Sequence, residues 1–167
     1  MKRQGGFTLI ELVVVIVILG ILAVTAAPRF LNLQTDARQA SLEGLRGAMQ
    51  GASGIVYAKS AIEGYESVAT ATDRTIDGKT VNIAWGYPTA TSTGIEAVVT
   101  GLDDDEQWVE VASSGITGGV ATNFIYYTLA SLTLPTTGTL DNCYVSYSLV
   151  PAGTVAQEPT IVVEECD

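Results

Sequence analysis

Residues 6–28 read GFTLIELVVVIVILGILAVTAAP, and this stretch decides the fold of the N-terminal part of the chain. From Phe7 to Ala27 it holds 21 residues with a single ionisable group, the carboxylate of Glu11. Because an α-helix rises ~1.5 Å per residue, a helix of this length covers roughly 31 Å, close to the hydrocarbon thickness of a bilayer. The stretch therefore predicts a hydrophobic helix that can span a membrane.

Charge divides the 167-residue chain near residue 60. Residues 1–60 carry six bases and three acids, whereas residues 61–167 carry two bases and fifteen acids, so the side-chain charges are +3 and −13. Hydrophobic residues make up 47% of the chain, which is too many for a disordered acidic protein and enough for one globular core. The scarcity of clustered Lys and Arg argues against nucleic acid as a partner.

The residue types present exclude several kinds of catalytic site. Histidine is absent and only two cysteines occur, so the usual Ser/His/Asp and Cys/His arrangements, His-ligated metals and a structural zinc site are excluded. No nucleophile paired with a base and no glycine-rich phosphate loop stands out in the sequence. We therefore expect neither an enzyme nor a bound cofactor.

The apolar run has three interpretations. A secretory signal peptide fits poorly, because the run is long and Pro28 directly follows the small residues at which cleavage would fall. A plain membrane anchor is consistent with Lys2 and Arg3, which predict a cytoplasmic N-terminus. The anchor leaves Glu11 without a role, although a charge inside a membrane helix costs about 3 kcal/mol.

The third interpretation gives the carboxylate a role. The segment GFTLIE at residues 6–11, after a short basic leader, resembles the class III signal of type IV pilins and pseudopilins. The resemblance implies that a membrane-embedded prepilin peptidase removes residues 1–6 by cutting after Gly6, and that it methylates the new amine of Phe7. It also implies that Glu11 accepts the amine of a Phe7 when a subunit docks into a filament, which turns two isolated charges into one pair.

Gly20 and Pro28 interrupt the apolar run, and both positions match the pilin pattern. A proline removes a backbone hydrogen bond and tends to kink a helix, and the alternative at Pro28 is a helix end followed by a second helix. The resemblance implies that residues 20–28 can lose helicity on assembly. We expect residues 7–28 to form a transmembrane and assembly helix and residues 29–60 to form its amphipathic continuation.

The amphipathic part carries two residue stripes. Apolar residues step 3, 4, 3 and 4 along one face, which should pack on a globular head: Leu42, Leu45, Met49, Ala52 and Val56. Glycines step 3, 4 and 3 along the roughly opposite face: Gly44, Gly47, Gly51 and Gly54. We interpret the glycine face as a surface that lets helices of neighbouring subunits approach closely. The alternative is a helix that frays or ends near Gly44.

Residues 61–167 predict an acidic, β-rich head. Five β-branched or aromatic runs bounded by turn residues indicate strands of an antiparallel sheet, at 80–85, 107–112, 123–129, 143–150 and 160–166. Residues 93–102 fit either a short helix or a strand, and a helix is favoured because Thr93 can cap it with Glu96 at the third helical position. The fold class is thus α+β, with a long N-terminal helix lying across an antiparallel sheet, as in the type IV pilin fold.

Cys143 and Cys166 enclose 22 residues near the end of a region expected to be exported, so a disulfide is expected and two free thiols are the alternative. The pair also matches the C-terminal disulfide loop of type IV pilins. Asp103, Asp104 and Asp105 suggest calcium, but their spacing lacks the glycine-punctuated loop of calcium sites and favours a solvated turn. The tryptophans and most head tyrosines are interpreted as core residues, with stacking on carbohydrate as the alternative.

The resemblance extends through residue 64. Over this N-terminal third of the chain, the sequence is similar to that of mannose-sensitive haemagglutinin pilins. It implies the major subunit of a type IVa pilus of a Gram-negative bacterium, used for surface attachment. The implied partners are further copies of the chain, prepilin peptidase, the assembly platform, minor pilins and surface carbohydrate. The implied location is the inner membrane before assembly and an extracellular pilus afterwards. The alternative is a pseudopilin of a type II secretion system, which the cysteine pair disfavours.

Overall fold

The computed structural model describes residues 6–103, 106–117, 119, 123–132, 139–150 and 157–167, with the backbone alone at residues 27–32. The chain divides into two compact units, one ending at Ala37 and one beginning at Arg38. The fold class is α+β, as predicted: one long helix, antiparallel sheets and a C-terminal disulfide.

Helix α1 runs from Leu9 to Glu63 and is 55 residues long. It continues without interruption through Gly20, Pro28 and Gly44. The alternative of a helix end at Pro28 followed by a second helix is therefore wrong, and so is a helix that frays or ends near Gly44. The window Leu9–Ala26 has a mean hydropathy of 3.0 and no buried residue, which makes it long and apolar enough to cross a membrane. A continuous surface of exposed apolar side chains is unfavourable in water, so this part of α1 requires an apolar environment.

The second half of α1 is amphipathic, as the residue spacing predicts. Leu42, Leu45, Met49 and Val56 are buried, and Ala52 is half-buried against the same core. The four glycines of the opposite face are all exposed. A Cβ added at any of them would meet no atom of this chain within 4 Å. The head therefore explains the apolar stripe, and nothing in the described part of the chain requires the glycines.

The described residues of the head form two antiparallel sheets, whereas the sequence predicted one. The first has the order β1 (Thr72–Ile76), β2 (Lys79–Ala84) and β3 (Tyr87–Pro88), and the second has the order β4 (Trp108–Val111), β5 (Phe124–Leu129), β6 (Tyr144–Ser148) and β7 (Thr160–Glu164). The five predicted strands correspond to β2 and β4–β7. Strands β1 and β3 were not predicted, because β1 is mostly polar and β3 has two residues, one of them proline.

The helix predicted at residues 93–102 is a π-helical turn, Ser92–Glu96, extended by two α-helical residues. Its cap was predicted wrongly: Thr91 occupies the N-cap position, without a side-chain capping hydrogen bond. The Thr93 hydroxyl lies 3.3 Å from the Thr91 hydroxyl. Glu96 accepts a 2.7 Å hydrogen bond from the Tyr127 hydroxyl, so its carboxylate joins the turn to β5 and does not cap the turn.

In the part of the head that the structure describes, apolar side chains pack in three clusters. The largest lies between α1 and one face of the β4–β7 sheet and includes Leu42, Met49, Tyr127 and Tyr147. A second joins Val56 to strands β1 and β2. A third covers the opposite face of the β4–β7 sheet, where residues of β4–β6 pack with Ile116, next to the 3₁₀ turn Ser113–Gly115. The C-terminal half of α1 thus contacts both sheets.

Candidate functional site

The residues expected to be processed lie just before α1. Gly6, Phe7 and Thr8 precede the first helical residue, Leu9, and have no regular secondary structure. Phe7 is 90% exposed. The bond between Gly6 and Phe7 is therefore outside the helix. Lys2 and Arg3 lie outside the described residues.

Glu11 is held by Thr8 of its own chain. Its Oε2 accepts hydrogen bonds from the Thr8 backbone N–H at 2.8 Å and from the Thr8 hydroxyl at 2.7 Å. The Glu11 N–H donates in return to the Thr8 hydroxyl at 3.3 Å. With Thr8 at the N-cap and Glu11 three residues later, this is a capping box. It fixes the start of α1 and places the carboxylate at the positive end of the helix dipole.

The capping box changes the interpretation of Glu11. In the sequence the carboxylate is an isolated charge in the apolar run, whereas in the structure part of its hydrogen-bonding need is met within one chain. Both bonds from Thr8 end on Oε2, and no hydrogen bond from the described residues reaches Oε1, which can therefore accept from a cationic donor. The signal for the box, Thr-x-x-Glu before an apolar run, is present at residues 8–11 and was overlooked.

The outward face of α1 in the head is unusual for a helix in water. Between residues 37 and 62, the face opposite the buried stripe consists only of glycine, alanine and isoleucine: Ala37, Ala40, Gly44, Gly47, Ala48, Gly51, Gly54, Ile55, Ala58 and Ile62. Ile55 and Ile62 are 59% and 85% exposed. Surface helices normally carry charged residues on this face. We call this set the small-residue face.

The disulfide between Cys143 and Cys166 is formed, as predicted. The Cys143 N–H donates a 3.0 Å hydrogen bond to the carbonyl of Glu165, so the start of β6 and the C-terminal segment are also joined through the backbone. The Cys166 N–H donates to Oε1 of Gln39 at 3.1 Å, which ties the bridge to α1. The disulfide thus fastens the last residues to the sheet, and the hydrogen bond to Gln39 fastens them to the helix.

The structure describes only part of the acidic run at residues 103–105. Asp103 is described, whereas Asp104 and Asp105 lie outside the described residues, so the solvated turn stays a prediction and calcium its untested alternative. Among the residues that the structure describes, no three acidic or cysteine side chains are grouped to hold a metal ion. The aromatic residues interpreted as core are buried: Trp85, Trp108, Tyr126, Tyr127, Tyr144 and Tyr147.

Two clefts flank α1 in the head. One, of about 240 Å³, has Ala52, Ile55 and Val56 of the helix in its wall. Its other side is formed by residues of the β1–β2 hairpin and by Ala97 and Val98, which follow the π-helical turn. The other, of about 270 Å³, has Gln50, Ser53 and Gly54 in its wall, together with Tyr87 and residues 158, 159 and 161. Neither cleft is predictable from the sequence, because each joins segments that are distant along the chain.

Comparison with known proteins agrees with the N-terminal geometry. A family model described as the prokaryotic N-terminal methylation motif matches residues 1–27. The chain carries the N-terminal methylation motif. Over 53 residues it is 49% identical to the type IV narrow pilus major component PilA5 of Thermus thermophilus, covering 32% of this chain and 46% of that protein. Over 79 residues it is 35% identical to the fimbrial protein EcpC of Eikenella corrodens, covering 47% of this chain and 52% of that protein.

The chain spans about half the length of the curated relatives it matches. No solved structure matches it. Both relatives are named as pilus or fimbrial proteins, and neither carries the name of an enzyme. The similarity supports the prepilin signal and a relationship to pilus and fimbrial proteins. Neither relative is named as a mannose-sensitive haemagglutinin pilin, so that subtype stays a prediction.

Proposed function

We propose that this chain is the major structural subunit of a type IV pilus, which polymerises through α1 into an extracellular filament for surface attachment. The observation that carries the proposal is the methylation motif at residues 1–27, placed directly before a helix with an exposed apolar window. A helix of this kind needs an apolar environment in each state, first lipid and then the helices of other subunits.

Processing is the first step of the proposal. Prepilin peptidase removes residues 1–6 by cutting after Gly6 and methylates the amine of Phe7, and the exposed, non-helical placement of both residues supports access to this bond. Removal of Lys2 and Arg3 leaves a side-chain charge of −12 on the mature chain. Before assembly the subunit resides in the inner membrane with its N-terminus in the cytoplasm and its acidic head exported.

Assembly then uses Glu11. In the proposed filament the carboxylate accepts the amine of a Phe7, and the open Oε1 supports this because the pair can form while Oε2 keeps its bonds from Thr8. Burying one hydrogen-bonded ion pair costs less free energy than burying two separate charges. In this proposal residues 7–28 form the assembly helix, with Gly20 and Pro28 as the points at which its helicity can change.

The small-residue face of α1 is proposed to contact helices of neighbouring subunits. Each glycine in a helix interior costs about 1 kcal/mol relative to alanine, and the described part of the chain gives no reason for Gly44, Gly47, Gly51 or Gly54. Small residues let two helices approach closely, so the glycines are useful when a second helix covers them. The two exposed isoleucines on this face support the same arrangement.

The finer assignments rest on the resemblance. We propose a pilus subunit of the mannose-sensitive haemagglutinin type, with surface carbohydrate as a ligand of the filament and with minor pilins and an assembly platform as partners. The alternative is a pseudopilin of a type II secretion system. Support for a pilus comes from the names of the two relatives and from the C-terminal disulfide. Long extracellular filaments at native expression would favour the pilus, and fibres confined to the periplasm would favour the pseudopilin.

The experiment that tests the proposal compares cells that lack the gene with cells that carry wild-type, Glu11→Ala or Glu63→Ala chains. Glu63 is an exposed carboxylate at the other end of α1 and serves as the matched control. We expect wild-type and Glu63→Ala filaments whose subunits begin with N-methylated Phe7, and a Glu11→Ala chain that is cut but stays in the membrane. Electron microscopy and N-terminal mass spectrometry measure both properties. Wild-type-like filaments from Glu11→Ala, or a wild-type subunit that retains residues 1–6, would contradict the proposal.

A further inference from the structure

The cleft of about 240 Å³ beside α1 has an apolar interior. Ala52, Ile55 and Val56 form its helix wall, and Ile76, Ala97 and Val98 form the opposite wall. Ile55 is 59% exposed, so the cleft opens onto an apolar surface. We call this feature the hairpin cleft, because the first β-hairpin forms one side.

Charged side chains line the hairpin cleft and lie beside it: Asp77 and Lys79 line the cleft, and Lys59 is paired with Asp77. Lys59 forms an ion pair with Asp77 in the turn between β1 and β2. Lys79, which lines the cleft, donates a 3.3 Å hydrogen bond to the backbone carbonyl of Ala97 and forms no ion pair with the described residues. Because Lys59 neutralises Asp77, these three groups sum to +1, with the charge on Lys79, on a head whose residues 61–167 sum to −13. An apolar cleft with a cationic rim fits an apolar side chain next to a carboxylate.

The other flank of α1 leads to β7. The second cleft has Gln50, Ser53 and Gly54 in its helix wall and Pro159 and Ile161 in the facing wall. At about 100° per residue, these helix positions lie roughly opposite those that line the hairpin cleft. The hairpin cleft and the start of β7 are therefore on opposite flanks of the same helix.

Strand β7 presents the side chains that the hairpin cleft would accept. Among the described strands it pairs with β6 alone, at the edge of its sheet. Ile161 and Val163 are half-buried, whereas Thr160, Val162 and Glu164 are exposed. Val162 is 43% exposed, so this face combines an apolar residue with a carboxylate two positions later.

We propose that β7 of one copy docks in the hairpin cleft of the next copy, with Val162 against Ile55 and Glu164 beside Lys79. The occupant is a second copy of this chain, because its β7 supplies both the apolar and the anionic group. The inference rests on the proposed function and identifies a contact between heads in the filament. Since the two surfaces are different and lie on opposite flanks, the contact is heterologous, and repetition leaves an open end at which the next copy adds.

Charge exchange in the full-length chain tests the contact. Lys79→Glu and Glu164→Lys each place like charges together, and the double variant restores opposite charges. We expect each single variant to lower the filament yield by about tenfold or more, and the double variant to recover most of it. Glu106→Lys is the matched control: Glu106 is an exposed head carboxylate outside both surfaces, and the variant has the same charge change as Glu164→Lys. Formation of the disulfide verifies that each variant folds.

Carbodiimide cross-linking of wild-type filaments built from isotopically light and heavy chains provides a second measurement. We expect mixed light–heavy peptides that join Lys79 to Glu164 or to its neighbour Glu165. Full yield from both single variants, no recovery in the double variant, or Lys79 joined only to other carboxylates would overturn the inference while wild-type filaments still form. Absence of wild-type filaments would instead overturn the proposed function, and the docking contact with it.

Discussion

The hydroxyl of Tyr147 donates a 2.6 Å hydrogen bond to the backbone carbonyl of Pro88. Tyr147 lies on β6 and Pro88 on β3, so this bond links the two sheets of the head. Tyr147 is completely buried beside α1 in the largest apolar cluster. Removal of the hydroxyl therefore tests how much one buried polar contact contributes to holding the two sheets together.

We expect Tyr147→Phe to lower the free energy of unfolding by about 2 kcal/mol, because the Pro88 carbonyl loses its donor in an apolar environment. Tyr57→Phe is the control, since the Tyr57 ring stacks on Tyr87 at 4.6 Å and phenylalanine keeps that stacking. Chemical denaturation of the full chain in detergent micelles, followed by tryptophan fluorescence, measures both. Equal losses in the two variants would contradict a specific role for the Tyr147 hydroxyl.

The same tyrosine predicts an alkaline dependence of stability. Burial raises the pKa of Tyr147 well above its usual value. The unfolded chain loses the phenolic proton near pH 10, while the folded chain keeps it. The contribution of Tyr147 to the free energy of unfolding is therefore constant below about pH 10. Above that pH the free energy of unfolding falls by about 1.4 kcal/mol per pH unit until the pKa of the folded state is reached.

Unfolding measured between pH 9 and pH 12 tests this dependence. Tyr147→Phe should remove most of the slope, and a smaller part should remain because burial also raises the pKa of Tyr87 and of Tyr144. An unchanged slope in Tyr147→Phe would assign the alkaline transition to other groups.

The disulfide allows a third prediction. In the chain-entropy model, closing a loop of 22 residues contributes about 3.5 kcal/mol by restricting the unfolded chain. We expect the double variant Cys143→Ser, Cys166→Ser to be less stable by about this amount, and a reducing agent to have the same effect on the wild type. The free energy of unfolding of the serine variant should not change in reducing agent. If it does, the reducing agent acts by something other than cleavage of the disulfide.

Much of the fold could be predicted because its signals are local. The spacing of Leu42, Leu45 and Met49 identifies the buried face of α1, and β-branched runs identify five strands. The first hairpin was missed although it had a signal, since Asp77-Gly78 with positive φ at both residues forms the turn between β1 and β2. The division into two sheets has no local signal, because strand pairing depends on contacts across long loops.

The candidate site also has one part that the sequence alone predicts and one part that only the folded chain brings together. The prepilin signal lies within six consecutive residues, Gly6 to Glu11, so the sequence alone identifies it. The hairpin cleft brings Ile55, Lys79 and Val98 together from three segments, and no spacing rule places them side by side. Function carried by one short segment is thus predictable, whereas function carried by a surface requires the fold.

Two glycines in different surroundings give opposite predictions for the same substitution. A Cβ at Gly94 would lie 2.2 Å from the backbone oxygen of Thr89, so Gly94→Ala should destabilise the head by about 3 kcal/mol. A Cβ at Gly51 would meet nothing within 4 Å, and Gly51→Ala should stabilise the subunit by about 1 kcal/mol through helix propensity. Denaturation of both variants checks the sign, and destabilisation by Gly51→Ala would show a contact that the chain makes at that face.

The small-residue face predicts separate effects on folding and on assembly. Leucine at positions 47 and 51 points away from the head, so the double variant Gly47→Leu, Gly51→Leu should fold with an intact disulfide and an unchanged or higher free energy of unfolding. It should form no filaments, because two bulky side chains keep a second helix from approaching closely. The matched control is Gly47→Ala, Gly51→Ala, which keeps the residues small and should retain filaments. Normal filaments from the leucine variant, counted by electron microscopy, would exclude close helix packing at this face, whereas loss of filaments in both variants would indicate a requirement for glycine itself.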